Sequence, residues 1–184
     1  NNVLDATNKW HLILDNKSQV KGLPERVLEL MALSAQRHLK KDGDIDSQSG
    51  PWKLSLDIPT YTAFMSYAED SSLREKLYKA FVSRASEGDE NNSQIIEEIL
   101  SLRTKQAKLL GYDSWADLSL STKMAGKINS VEKLLEELRE PSFKAAELEL
   151  ENLNNFANKN GFNDDNQLKP WDISYWSELL RKEK

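Results

Sequence analysis

Cysteine is absent from all 184 residues. That removes disulfides, thiol nucleophiles and thiolate metal sites, and it permits a reducing compartment. Histidine is nearly absent too. His11 and His38 are the only two and stand 27 positions apart, without the one-turn spacing that pairs imidazoles on a helix. Zinc needs three or four preorganised donors, so no metal site is expected in this chain. The seven glycines are isolated near expected helix ends and turns, which leaves no glycine-rich loop to cradle a phosphate. A G-x-S-x-G elbow is missing, and with it the local signature of a serine hydrolase. No apolar run approaches the ~20 residues of a membrane span, and no secretory leader opens the chain. The longest basic runs are the pairs Lys40–Lys41 and Arg181–Lys182, so neither nucleic acid nor a membrane surface is expected as a partner. The expected compartment is the cytoplasm, or an organelle lumen if a targeting peptide preceded Asn1.

What is present describes a globular, acidic chain. Charged residues make up 30% and hydrophobic residues 39%, with a net charge of −5 spread along the length. A chain of this size buries about 70% of its unfolded surface, enough for one real core. One helical segment over 1–184 is the expected organisation.

Helical periodicity dominates. Val3, Ala6, Trp10, Ile13 and Leu14 form one stripe, although "WHLIL" also alternates like a strand. Pro24 suits a helix start, and Val27, Leu28, Met31, Ala35 and Leu39 continue one face. "WKLSLDIP" is the best strand, with Trp52, Leu54 and Leu56 alternating with polar residues. Its partner is expected to be either "WHLIL" or a segment outside the chain. Helix then follows helix. Pro59 opens a short one, and Ser72 and Glu75 have capping-box spacing ahead of Leu77, Tyr78 and Phe81. Ser93 precedes a run closed by Gly111, and Ser114 and Asp117 start another. Asn129 and Glu132 begin a helix that Pro141 is expected to interrupt, and a further helix runs from Phe143 to Asn160. The fold class is therefore all-α, a multi-helix bundle or layered helical array with one short β element.

Few residues invite a chemical role. Asp42, Asp44, Asp46 and Gln48 alternate like the start of an EF-hand loop, but the sixth position is Ser47 rather than Gly and the twelfth is Lys53 rather than Glu. A solvated acidic loop is the better reading. Glu97–Glu98 and Glu136–Glu137 are sequence neighbours that splay apart on a helix and read as solvated faces. Arg84 and Arg103 sit among apolar helix positions, where a structural role outweighs a ligand role. At the far end Trp171, Ile173, Tyr175, Trp176, Leu179 and Leu180 share a helix face that needs cover, behind a plausible N-cap, Asp172.

Read together, "NNVLDATNKW", "GLPERVLELMA", the long run from Gly50 to Ala125 and "LKPWDISYWSE" resemble, in order and spacing, the oligopeptidase A and thimet oligopeptidase family of zinc metallopeptidases. The resemblance covers nearly the whole chain and is most specific between Gly50 and Ala125. It implies a larger all-α peptidase with helical halves flanking a channel, a zinc ion on the channel floor, and short peptides as substrates. Zinc there is held by an H-E-x-x-H motif and a downstream Glu. No position of this chain matches that motif, since His11 precedes Leu12 and His38 precedes Leu39. No catalytic residue and no metal ligand is therefore carried over.

These readings combine into one expectation. The chain is a non-catalytic segment of such a peptidase, upstream of its zinc region, and forms part of the channel wall. The missing initiator Met, the strand without an assured partner and the aromatic helix ending at Lys184 all suggest truncation. Its partners are the missing catalytic region and short peptides, and zinc belongs to the parent enzyme rather than to this chain. Trp52 and Leu54 on the strand, and Trp171 and Tyr175 on the aromatic turn, are the candidates for the channel surface. The rival is a stand-alone helical module that binds peptides or proteins without hydrolysis.

Overall fold

Local signals at the helix ends explain most of the architecture of the computed structural model, which describes residues 1–40, 46–162 and 167–183. Helix α1 (Asn2–Lys9) stops at Trp10, whose backbone turns extended, and strand β1 (His11–Leu14) follows. The stripe read from Val3 to Asp15 is thus a helix and then a strand, because β1 has a ladder to join. Strand β2 (Trp52–Ser55) pairs with it antiparallel, Leu14 opposite Trp52 and Leu12 opposite Leu54. The strand therefore has its partner within the chain, which withdraws it as a sign of truncation. Between them lies α2 (Glu25–Leu39), started after Pro24, with Leu28, Met31, Ala32 and Ala35 buried at helical spacing.

Helix α3 (Ile58–Tyr67) is capped by Asp57, which accepts from the Thr60 amide at 3.0 Å. Helix α4 (Ser71–Val82) is capped by Asp70, which accepts from the Leu73 amide at 3.0 Å. The expected Ser72–Glu75 capping box does not form, since Asp70 already satisfies the first free amides of the helix. Helices α5 (Ser93–Leu109), α6 (Trp115–Leu120), α7 (Ile128–Lys159) and α8 (Ile173–Glu183) complete the chain. Pro141 lies inside α7, which continues through it for 32 residues. A proline removes one amide donor and adds a clash worth about 3 kcal/mol, a local cost that a long helix absorbs.

The fold is mostly α, with a two-stranded sheet as its only β structure among the described residues. It divides into two compact units. The first comprises residues 1–90 and 153–184, the second residues 91–152. The first holds the main apolar core, in which Trp52, Leu54, Leu56, Phe64 and Leu77 are almost fully buried. A smaller cluster in the same unit joins Leu153 and Ala157 to Trp176. In the second unit, Ala107 is the one buried residue among those described.

Candidate functional site

The most constrained polar arrangement in the first unit lies where α4 begins and α8 begins. Asp70 caps α4, and one turn later Arg74 enters the interior with 2% of its surface exposed. Its Nη2 donates to Asp172 Oδ1 at 2.6 Å, across 98 positions of sequence. Nε donates to the Trp171 carbonyl at 3.1 Å, and Nη1 to the carbonyls of Ala68 at 2.6 Å and Glu69 at 3.2 Å. Asp172 is equally buried and also accepts from Ser71 Oγ at 2.9 Å and the Lys169 amide at 3.2 Å. Each side-chain nitrogen of Arg74 and both carboxylate oxygens of Asp172 thus have a hydrogen-bond partner, which is the condition under which a buried ion pair is tolerated.

Aromatic residues surround this ion pair. The Arg74 guanidinium lies 4.3 Å from the Tyr175 ring centre. Burial, then Glu69, push the Tyr175 phenol up, against smaller lowering by Arg74 and Lys21, so it is a neutral donor at physiological pH. Glu69 is itself held by Lys21 at 2.8 Å. Gly22, beside Lys21, has φ +89° and comes so close to the Tyr67 carbonyl that a Cβ would sit 2.3 Å from its oxygen. Only glycine fits there. Trp171 packs on the main core beside Tyr78, ring centres 6.0 Å apart. Trp176 lies edge-on to Phe156 and Phe162. The aromatic face of α8 is therefore covered by earlier helices of the same chain, where the sequence suggested cover from segments beyond it.

The four channel candidates fall into two groups. Trp171 and Tyr175 meet around Arg74 and are half-buried. Trp52 and Leu54 are 0% exposed; they hold β2 in the core and offer no side-chain surface to a ligand. Arg74 was not singled out from sequence. A signal was available: it stands three and four residues before Leu77 and Tyr78, on the apolar stripe of α4. Arg84, in the turn just after α4, donates to the Phe81 carbonyl at 2.7 Å and covers the Phe81 ring, while Arg103 lies 5.3 Å from the Trp115 ring centre.

The two histidines, distant in sequence, are in contact. The His11 and His38 ring centres are 4.2 Å apart, edge to face. Desolvation, then Lys53 and His11, hold the His38 imidazole below its ordinary value. His11 Nδ1 lies 3.1 Å from the Lys9 carbonyl. This pair does not fit a zinc site, because a cationic lysine adjoins it and no three His, Cys, Asp or Glu side chains converge among the described residues. Of the EF-hand-like positions, Asp42 and Asp44 lie outside the described residues. Asp46 accepts from the Gln48 amide at 2.8 Å and from the Ser49 hydroxyl, which closes a turn. In the second unit, Tyr112, Asp117, Ser121, Lys127 and Glu132 line an open hollow of about 540 Å³. Among the described residues, no helix is long and apolar enough to cross a membrane.

The Ser71 hydroxyl donates to a carboxylate that Arg74 already holds as an ion pair, so that carboxylate is not a free base, and each nitrogen of the cation has a partner. Beside it, Trp171 and Tyr175 form a half-buried aromatic edge. This chain belongs to peptidase family M3, whose sequence profile matches residues 64–184. It is 42% identical over 183 residues to the probable cytosolic oligopeptidase A of Arabidopsis thaliana, covering 100% of this chain and 26% of that protein. Against the organellar oligopeptidase A, chloroplastic/mitochondrial, of the same plant it is 41% identical over 183 residues, covering 100% of this chain and 23% of that protein. Against oligopeptidase A of Escherichia coli it is 40% identical over 188 residues, covering 99% of this chain and 26% of that protein. The chain spans about a quarter of the length of these curated relatives.

Proposed function

We propose that this chain is a non-catalytic, channel-wall segment of a zinc-dependent oligopeptidase that hydrolyses short peptides. The observation that carries the reading is identity near 40%, along essentially the whole chain, to proteins named oligopeptidase A. In this reading the H-E-x-x-H region that holds zinc and activates its bound water belongs to the parent polypeptide outside these 184 residues. The residues here bind and exclude. The wall admits extended peptides and turns away folded proteins, with the Trp171–Tyr175 edge as its contact surface. Arg74 and Asp172 fix that edge in place, while Trp52 and Leu54 back it from the core. The compartment is the cytosol or an organelle, as the names of the plant relatives indicate for those proteins.

The test uses the complete enzyme. Tyr175→Ala and Trp171→Ala should each lower kcat/KM toward a short fluorogenic peptide about tenfold, the loss of one aromatic contact worth ~1.4 kcal/mol. Circular dichroism should stay unchanged. Folded variants with unaltered kcat/KM would end the channel-wall assignment. A reading frame that continues past Lys184 without H-E-x-x-H would instead support the non-hydrolytic binding module.

A further inference from the structure

Residues 132–152 of α7 are all exposed, over roughly 30 Å of helix. The surface is not polar throughout. Leu134, Leu135 and Leu138 share one face at three- and four-residue spacing and are 55–59% exposed. Helix α5, in the same unit, shows the same pattern: Ile95, Ile99 and Leu102 lie on one face and are 42–54% exposed. Helices in water owe their stability mainly to packing of such a face, and a segment this exposed is marginal alone. Pro141 weakens it further by removing a hydrogen bond in its middle.

We infer that these two apolar faces are a permanent interface for the remaining polypeptide of the parent protein, an inference that rests on the proposed oligopeptidase reading. Three observations select this occupant. The relatives that align with the chain from end to end are about four times as long, so ample polypeptide is available to cover the faces. A helix that needs packing in order to persist requires a constant partner rather than a passing one. Charge disfavours pairing of α7 with the α7 of a second copy, because residues 132–152 carry seven glutamates against Lys133, Arg139 and Lys144. Those three bases are already paired within the helix, to Glu137, Glu136 and Glu140. Copies meeting face to face would set acid against acid. The covering helices carry an apolar stripe flanked by Lys or Arg.

The test is thiol accessibility in the complete enzyme, with rates taken above the unsubstituted background. Ile99→Cys and Leu138→Cys should react with a maleimide at least tenfold more slowly than Lys144→Cys, and all three should react alike in denaturant. Native labelling of Ile99→Cys and Leu138→Cys at the Lys144→Cys rate would overturn the inference. So would protection that appears only as enzyme concentration rises to a dimer, or only when peptide is added. Should the cysteine variants fail to fold, amide exchange of the unsubstituted enzyme decides. Slow exchange over residues 132–152 supports the interface and fast exchange refutes it. A source protein no larger than 21.1 kDa would instead defeat the underlying oligopeptidase reading, an outcome readable from mass alone.

Discussion

Arg74 carries a full charge into an interior where 2% of it meets solvent, and four of its N–H donors explain how that is sustained. One side goes to a carboxylate, the others to three backbone carbonyls that close the ends of α3 and the approach to α8. Removing either charge alone strands the other without water, which costs about 3–5 kcal/mol. Asp172→Ala and Arg74→Met should each show a loss of that size in equilibrium urea denaturation. The double variant Arg74→Met/Asp172→Ala should lose less than the sum, by a coupling of about 1–3 kcal/mol. Strict additivity would mean that the pair is not the unit holding this corner. The pairing was hidden in the sequence, since nothing local links residues 98 positions apart. Only the intrusion of Arg74 into an apolar stripe marked it.

At the scale of elements, the legible features were those governed by neighbours. Ser114 caps its helix and Pro59 lies in the first turn of α3, where local chemistry puts them. The alternation of Trp52, Leu54 and Leu56 places β2 correctly. Features that depended on distant partners stayed open, such as β1, which alternates and also has helical spacing until β2 decides the matter. Pro141 was misread, because a strong local rule yielded to context. A proline in a helix interior costs about 3 kcal/mol relative to alanine. In α7 it stands at an exposed position with no helix end at hand. Pro141→Ala should therefore raise the thermal midpoint and deepen the helical circular dichroism signal. A lower midpoint would show that the site depends on the proline's shape.

Over the whole molecule, burial is unequally shared, and that inequality makes its own prediction. Residues 1–90 and 153–184 contain both apolar clusters, whereas residues 91–152 bury Ala107 alone among those described. The family was legible from the ordered run of motifs, because aligned stretches carry information that no single helix does. Which faces are covered was not legible, because a Leu on an amphipathic stripe reads the same whether its partner lies in the chain or beyond it. Trp176 and Leu138 illustrate the two cases: both sit on apolar helix faces, yet one is 7% exposed and the other 55%. Opening free energy follows buried apolar contacts, so the two regions should differ in hydrogen exchange. In the 184-residue chain, amides of α2, α4 and the β1–β2 pair should exchange at least about a hundredfold more slowly than those of α5 and residues 132–152, a gap of ~2.7 kcal/mol in opening energy. Mass spectrometry of deuterated peptides measures both at once. Uniform protection would mean that α5 and α7 are stable without cover, and their exposed leucines and isoleucines would then need no partner.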